Sequence, residues 1–223
     1  MHIEEHIVTG AKLLVGYATA ATAGLYTAKL AWDAVRAHGL PSLAARSALA
    51  TAAVFAFFEV LPTHPVGVSE VHFILGSTLF LILGAAPAAI GLALGLLVQG
   101  LFFAPFDLPQ YGMNVTTLLV PLFAVAAIAR RIIAPGTAYV DLSYAQALKL
   151  STAYQGGVVA WVAFWAFLGQ GAEGWQGVAT FAAAYMLVIV IEPLVDLAVL
   201  AGAKSVRGLR GSPLVTPRLY AAA

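Results

Sequence analysis

From Phe73 to Ala104 the chain carries no acidic and no basic residue. About 20 apolar residues cross the hydrocarbon of a bilayer, so this stretch is longer than one crossing needs. The texture recurs. "IVTGAKLLVGYATAATAGLYTAKLAW", starting at Ile7, is another apolar run of spanning length, broken only by Lys12 and Lys29. Charged residues make up 9% of the 223 and hydrophobic ones 61%, where soluble domains average roughly 25% charged and 45–50% apolar. So few charges cannot cover a water-facing surface. Inside a bilayer every backbone group must be satisfied within the protein, which helices achieve. The fold class expected is an all-α polytopic membrane protein. A net charge of +1 supplies no field for nucleic acid, and the lack of cysteine excludes disulfides, thiolate metal sites and iron–sulfur clusters.

The apolar runs predict about seven transmembrane helices, near 8–31, 43–61, 70–84, 87–104, 114–133, 150–169 and 176–201. Gly84 and Pro87 divide the third from the fourth, since Pro is accepted in the first turn of a helix. That division sets the parity of everything after it, and basic residues test it. With seven spans and the N-terminus outside, all of the 11 Lys and Arg residues except Lys12 fall on the inner side. Reading 73–104 as one span would put Arg130 and Arg131 opposite Arg36. The expectation is an N-terminus outside and a C-terminus in the cytoplasm, in a multi-pass protein of the cytoplasmic (inner) membrane. Residues 1–201 read as a single transmembrane domain and 202–223 as a cytoplasmic tail. His2, His6, His64 and His72 then share the outer face with most of the acids, and such a face attracts cations.

The N-terminus does not read as a signal peptide. Glu4 and Glu5 stand where positive charge should precede the apolar run. Met1 is therefore expected to be the mature terminus. Its amine, the His2 amide and the His2 ring form a contiguous set of three nitrogen donors, and one more imidazole completes four. Tetragonal nitrogen geometry favours Ni(II) or Cu(II) over oxygen-seeking Mg or Ca, and zinc prefers a tetrahedron. The other reading of "MH" is a frayed terminus with a solvated histidine.

His72, at the start of the expected third helix in "LPTHPVGVSEVHFILGSTLF", is open to two readings. It is either a ligand or an interfacial imidazole satisfied by a backbone carbonyl. Ser69 orients that ring from the second shell or caps a helix. Glu70 is a ligand or an exposed loop acid, and His64 reads as solvated. His6 is ambiguous, one helical turn from His2 if the terminus were helical. Gln99 and Asn114 are helix–helix glue, or Asn114 braces the metal loop, with Gly112 permitting close backbone approach. Gly16, Ala20, Gly24 and Ala28 recur at intervals of four and offer a small-residue face, either for internal packing or for docking a partner subunit. Glu192 and Asp196, near the inner end of the last span, are costly unless paired or wet. They read as holding a partner's Arg or Lys, or as reaching cytoplasmic water.

"MHI" at 1–3, "SEVH" at 69–72, "GSTL" at 76–79, "LLVQGLFF" at 96–103 and "GMN" at 112–114 together resemble the CbiM/NikM family. Those are substrate-binding membrane subunits of energy-coupling-factor transporters for cobalt and nickel. The resemblance covers the chain to about the fifth span. It implies seven helices, the first carrying the N-terminus into the binding pocket. It also implies a metal held by the Met1 amine, the His2 amide and ring, and the His72 ring. Nickel or cobalt is then the transported substrate, with no organic cofactor. The implied partners are cytoplasmic ATPase subunits, a transmembrane coupling subunit and a small accessory membrane protein. No phosphate-binding G-x-x-x-x-G-K-[ST] loop occurs in this chain, so ATP hydrolysis falls to partners. Where the family places Pro or Gly after "MHI", Glu4, Glu5 and His6 stand here.

Other functional classes fit less well. A haem-bearing anchor subunit needs paired axial histidines within helices, and these lie in loops and at helix ends. A retinal protein needs a lysine midway along the last span, and Lys204 lies beyond its inner end. A Ser69–His72 hydrolytic dyad lacks an orienting acid and an oxyanion turn.

Overall fold

A computed structural model of the chain describes residues 3, 4, 6–61 and 63–205. Met1, His2, Glu5 and the tail from 206 lie outside the described residues. Among the described residues the elements are α1 (Leu13–His38), α2 (Leu40–Glu59), β1 (His64–Val66), β2 (Ser69–Val71), α3 (Gly76–Leu83), α4 (Ala85–Phe102), α5 (Tyr111–Ile132), α6 (Tyr144–Gln170) and α7 (Trp175–Ser205), with short 3-10 turns between some of them. Among the described residues four helical stretches are long and apolar enough to cross a membrane: 40–59, 85–102, 105–132 and 144–205. The last contains both α6 and α7, which turn back on each other through Gly171–Gly174. Gln155 of α6 meets both Tyr185 and Glu192 of α7, as an antiparallel hairpin requires.

Local chemistry sets several boundaries. Ser143 and Gln146 form a reciprocal capping box that starts α6, the Ser143 amide donating to Gln146 Oε1 at 2.9 Å. Gly84, at φ 95°, breaks the chain between α3 and α4 where the sequence predicts it. Close helix approach rests on small residues, as expected in lipid, where dispersion replaces the hydrophobic drive. A Cβ added at Gly95 of α4 would lie 2.6 Å from Val54 Cγ1 of α2. One added at Gly112 of α5 would lie 2.8 Å from the Gly16 carbonyl of α1.

Two expectations need correction. The first helix begins at Leu13 and runs to His38 rather than covering 8–31; ahead of it Ile3, Ile7 and Val8 are buried outside any long helix. The expected third span, 70–84, is not a continuous helix. It consists of β2, an irregular stretch from His72 to Leu75, and α3, which has only 8 residues. Eight residues rise about 12 Å, well short of a bilayer's roughly 30 Å. His72 thus lies four residues before α3 instead of opening it. Pro65 and Gly67 favour a hairpin over a helix here, the turn Gly67–Val68 taking φ 66° at Gly67.

The broken segment still joins opposite ends of the bundle. The β-hairpin packs on the first turns of α7, where Gly177 meets Val68. At the far end, Arg46 Nη1 donates to the Leu83 carbonyl at 2.9 Å. His38, Arg46, Gly84 and Pro87 line one shallow cavity at that end, and Arg130, Tyr139 and Leu142 line the next. Lys204 donates to the Leu142 carbonyl there. Lys12 stands at the opposite end, on the Gly169 carbonyl. Arg46, Arg130 and Lys204 therefore lie at the end away from the hairpin, and Lys12 at the hairpin end. α7 continues to Ser205, four residues past its expected end.

Candidate metal centre

The site builds from the β-hairpin and from the residues before α1. Ile3 forms an isolated antiparallel bridge with Ser69 of β2. The Glu4 amide donates to the Val68 carbonyl at 3.2 Å, and the Ile7 amide turns back to the Glu4 carbonyl at 3.0 Å. The Ile3 amide leaves the hairpin and donates to Asn114 Oδ1 at 2.8 Å. Ile3 and Asn114 are each 1% exposed and Ser69 is fully buried. Ile3 and Glu4 are therefore fastened to the hairpin on one side, and Ile3 to α5 on the other. Asn114 can reach Ile3 because Gly16 and Gly112 let α1 and α5 close together.

His72 follows β2 directly and is 3% exposed. Its ring meets Phe58 edge-on, centroids 4.7 Å apart at 71°. Its Nδ1 lies 3.1 Å from the Phe73 carbonyl. A carbonyl only accepts, so Nδ1 carries the proton and the lone pair sits on Nε2. The carbonyl-satisfied reading thus describes Nδ1, and it is compatible with a ligand role for Nε2, since such a bond favours the tautomer whose free lone pair is on that nitrogen.

The remaining sequence candidates separate. Met1 and His2 lie outside the described residues. Ser69 is no helix cap, since α3 starts at Gly76; it holds the N-terminal segment instead. Glu70 is partly buried on β2 opposite Pro65, and His6 and His64 are exposed. Among the described residues no group of three His, Asp or Glu side chains comes together. Of the small-residue stripe, Gly16 is buried against Met113 and Ala20 packs on the core, while Gly24 and Ala28 face outward. Each step of four residues advances about 40° round a helix, so a stripe at that spacing winds off any one face.

Glu192 and Asp196 also differ from expectation. Neither reaches a partner's base or cytoplasmic water. Glu192 is fully buried, and its two carboxyl oxygens accept from the Ile74 amide at 2.9 Å and the Leu75 amide at 2.7 Å. Gln155 Nε2 also donates to it, and the Tyr185 hydroxyl donates to Gln155 Oε1 at 2.7 Å. Asp196 accepts from the Ser77 hydroxyl at 2.6 Å and from Thr78. An irregular segment leaves backbone amides without helical partners, and α7 supplies acceptors for them. Beyond the spans, burial first and the Asp196 charge second push the Tyr139 phenol well above its ordinary range. The sequence reading missed Phe58, Gln155 and Tyr185. A glutamine inside the apolar run "STAYQGGVVAWVAFW" was the available signal for the second.

Comparison with known proteins bears on this arrangement. No curated protein sequence matches. Two solved structures share the fold. A transition metal transporter matches with TM-score 0.69 at 18% identity, over 96% of this chain and 96% of that one. A truncated transition metal transporter matches with TM-score 0.67 at 19% identity, over 90% of this chain and 97% of that one. A family model, CbiM, described as the cobalt uptake substrate-specific transmembrane region, matches residues 2–208. With nearly its whole length matched, from ahead of the inward-turned Ile3 to beyond α7, this chain belongs to the CbiM family.

Proposed function

We propose that this protein captures Ni(II) or Co(II) at the outer face of the cytoplasmic membrane. It does so as the substrate-binding subunit of an energy-coupling-factor transporter. The observation that carries this reading is the inward course of the N-terminal segment. The Ile3 amide rests on Asn114 while Ile3 bridges Ser69, on the strand that leads straight to the buried His72 ring. Chain connectivity holds residues 1 and 2 within about 7 Å of Ile3. The Met1 amine, His2 amide, His2 ring and His72 Nε2 are then the four nitrogen donors, a set suited to a tetragonal ion.

Asn114 and Ser69 hold the segment that presents these donors, with the exposed His6 and the partly buried Glu70 beside it in the chain. The clustering of basic residues at the far end supports an N-terminus outside and a C-terminus in the cytoplasm. The two shared folds and the family's cobalt-uptake description support a metal substrate. ATP hydrolysis belongs to cytoplasmic partners, coupled through a transmembrane subunit and joined by a small accessory membrane protein. Nothing favours the haem-anchor alternative: among the described residues His72 is the only buried histidine.

One added residue before Met1 tests the reading. It converts the terminal amine to an amide nitrogen and moves the chelate, so chelator-stripped protein should lose high-affinity Ni(II) and Co(II) binding. Unchanged affinity would exclude the amine as a ligand. Competition between the two ions on the unmodified chain ranks the substrates.

A further inference from the structure

We propose that Glu192 is a positioning residue for the metal site, holding the irregular segment His72–Leu75 so that the His72 ring faces its ion. The proposal deepens the metal-capture reading and rests on it for the identity of the ion.

The two amides bound by Glu192 lie two and three residues after His72. Each is anchored to a different oxygen of the same carboxyl group, which fixes both position and rotation of the peptide planes. Leu75 adopts a left-handed conformation, φ 53° and ψ 30°, the only non-glycine residue to do so among those described. A bulky side chain persists there only where its surroundings hold it, and such outliers concentrate at functional sites. Here the surroundings are identifiable. Glu192 takes the Leu75 amide, Gln155 takes Glu192, and Tyr185 takes Gln155. Gly76, the next residue, lies against the Tyr154 ring, where a Cβ would come 2.7 Å from Cε1. Asp196, one turn further along α7, fastens α3 itself through Ser77 and Thr78.

The two acids therefore divide the work. Asp196 holds the helix, and Glu192 holds the irregular link between that helix and His72. Without a carboxyl at 192 the link is free to wind into another turn of α3, carrying the imidazole round with it. A glutamine at 192 keeps one acceptor and turns an NH2 group against the second amide.

The test uses the full chain in detergent, stripped of metal and titrated with Ni(II) alone. Glu192→Gln should weaken binding about 10- to 100-fold, the range of outer-shell partners, and should shift the d–d absorption of the bound nickel. Asp196→Asn should cost comparable thermal stability yet keep the wild-type spectrum, with an affinity change below about threefold, since it is not linked to the first shell. Wild-type affinity and spectrum in Glu192→Gln would overturn the proposal. So would equal weakening in both variants with an unchanged spectrum, which marks a scaffold effect only. If Glu192→Gln does not accumulate, Tyr185→Phe removes only the outermost bond and should shift the spectrum in the same way; no shift would overturn the proposal. Hydrogen exchange across residues 72–78 in metal-free protein reads the segment independently of nickel, and Glu192→Gln should speed it. A wild-type chain that binds no nickel would defeat the transport reading, leaving exchange to decide whether Glu192 holds the link.

Discussion

The Ile3 amide and the Asn114 side chain, 111 residues apart in sequence, meet at 2.8 Å in the interior. This bond and the Ile3–Ser69 bridge pin Ile3 between α5 and the hairpin. Asn114→Ala leaves a buried amide without its acceptor, which costs about 1–3 kcal/mol. The expected outcome is faster hydrogen exchange at residues 3–8 and metal binding about 10- to 100-fold weaker. Asn114→Asp, which keeps an acceptor oxygen, should lose less. Titration of both variants with Ni(II) checks the order.

His72→Ala removes a proposed donor rather than a supporting group. Its loss of affinity should exceed the roughly 10- to 100-fold typical of outer-shell partners. His64→Ala and His6→Ala, both exposed, should leave affinity unchanged. Isothermal titration of the three variants separates a site centred on His72 from a diffuse histidine-rich surface.

Metal capture should depend on pH in one direction. The amine and imidazoles bind metal only when deprotonated, and a free imidazole takes up its proton near pH 6.5. As pH falls through that region protons compete with the ion, so affinity drops; as pH rises above it, the competition fades. Binding at pH 5.5 is expected to be at least about tenfold weaker than at pH 7.5. A flat profile between those values would argue against imidazole ligands.

The stripe on α1 should divide into two functional halves. Gly16→Leu forces a side chain into Met113 and should destabilise the isolated protein by about 1–3 kcal/mol. Gly24 has nothing within 4 Å of an added Cβ, so Gly24→Leu should leave thermal stability in detergent intact. If Gly24 and Ala28 form the docking face for the coupling subunit, Gly24→Leu should instead reduce recovery of the ATPase partners on co-purification. Normal assembly in that variant would move the docking face elsewhere.

Gly84 marks the break on which span parity depends. At φ 95° and ψ 166° an alanine is strained, and such positions cost about 1–3 kcal/mol. Gly84→Ala should lower the thermal midpoint, and an accessibility scan of cysteines placed at 84 and 39 should label both from the same side.

By itself the amino-acid sequence determined the all-helical class, the positions of α2, α4, α5 and α7 to within a few residues, and the break at Gly84; it placed the start of α6 at 150, where the helix begins at Tyr144. Those follow from local physics: apolar runs of bilayer length, and a glycine and a proline where a helix cannot continue. It also singled out His72, Ser69 and Asn114, polar residues in places where polarity is costly. Only the tertiary structure decided what those residues touch. The eight-residue α3 and the irregular link before it were invisible locally, because 70–84 is as apolar as a true span. Two amides of the link, those of Ile74 and Leu75, are satisfied by Glu192, more than a hundred residues away. The same holds for Glu192 and Asp196: sequence says that a buried acid needs a partner, and only packing says that the partner is the protein's own broken helix. A winding stripe of small residues likewise becomes half internal and half exposed only once α5 lies against α1.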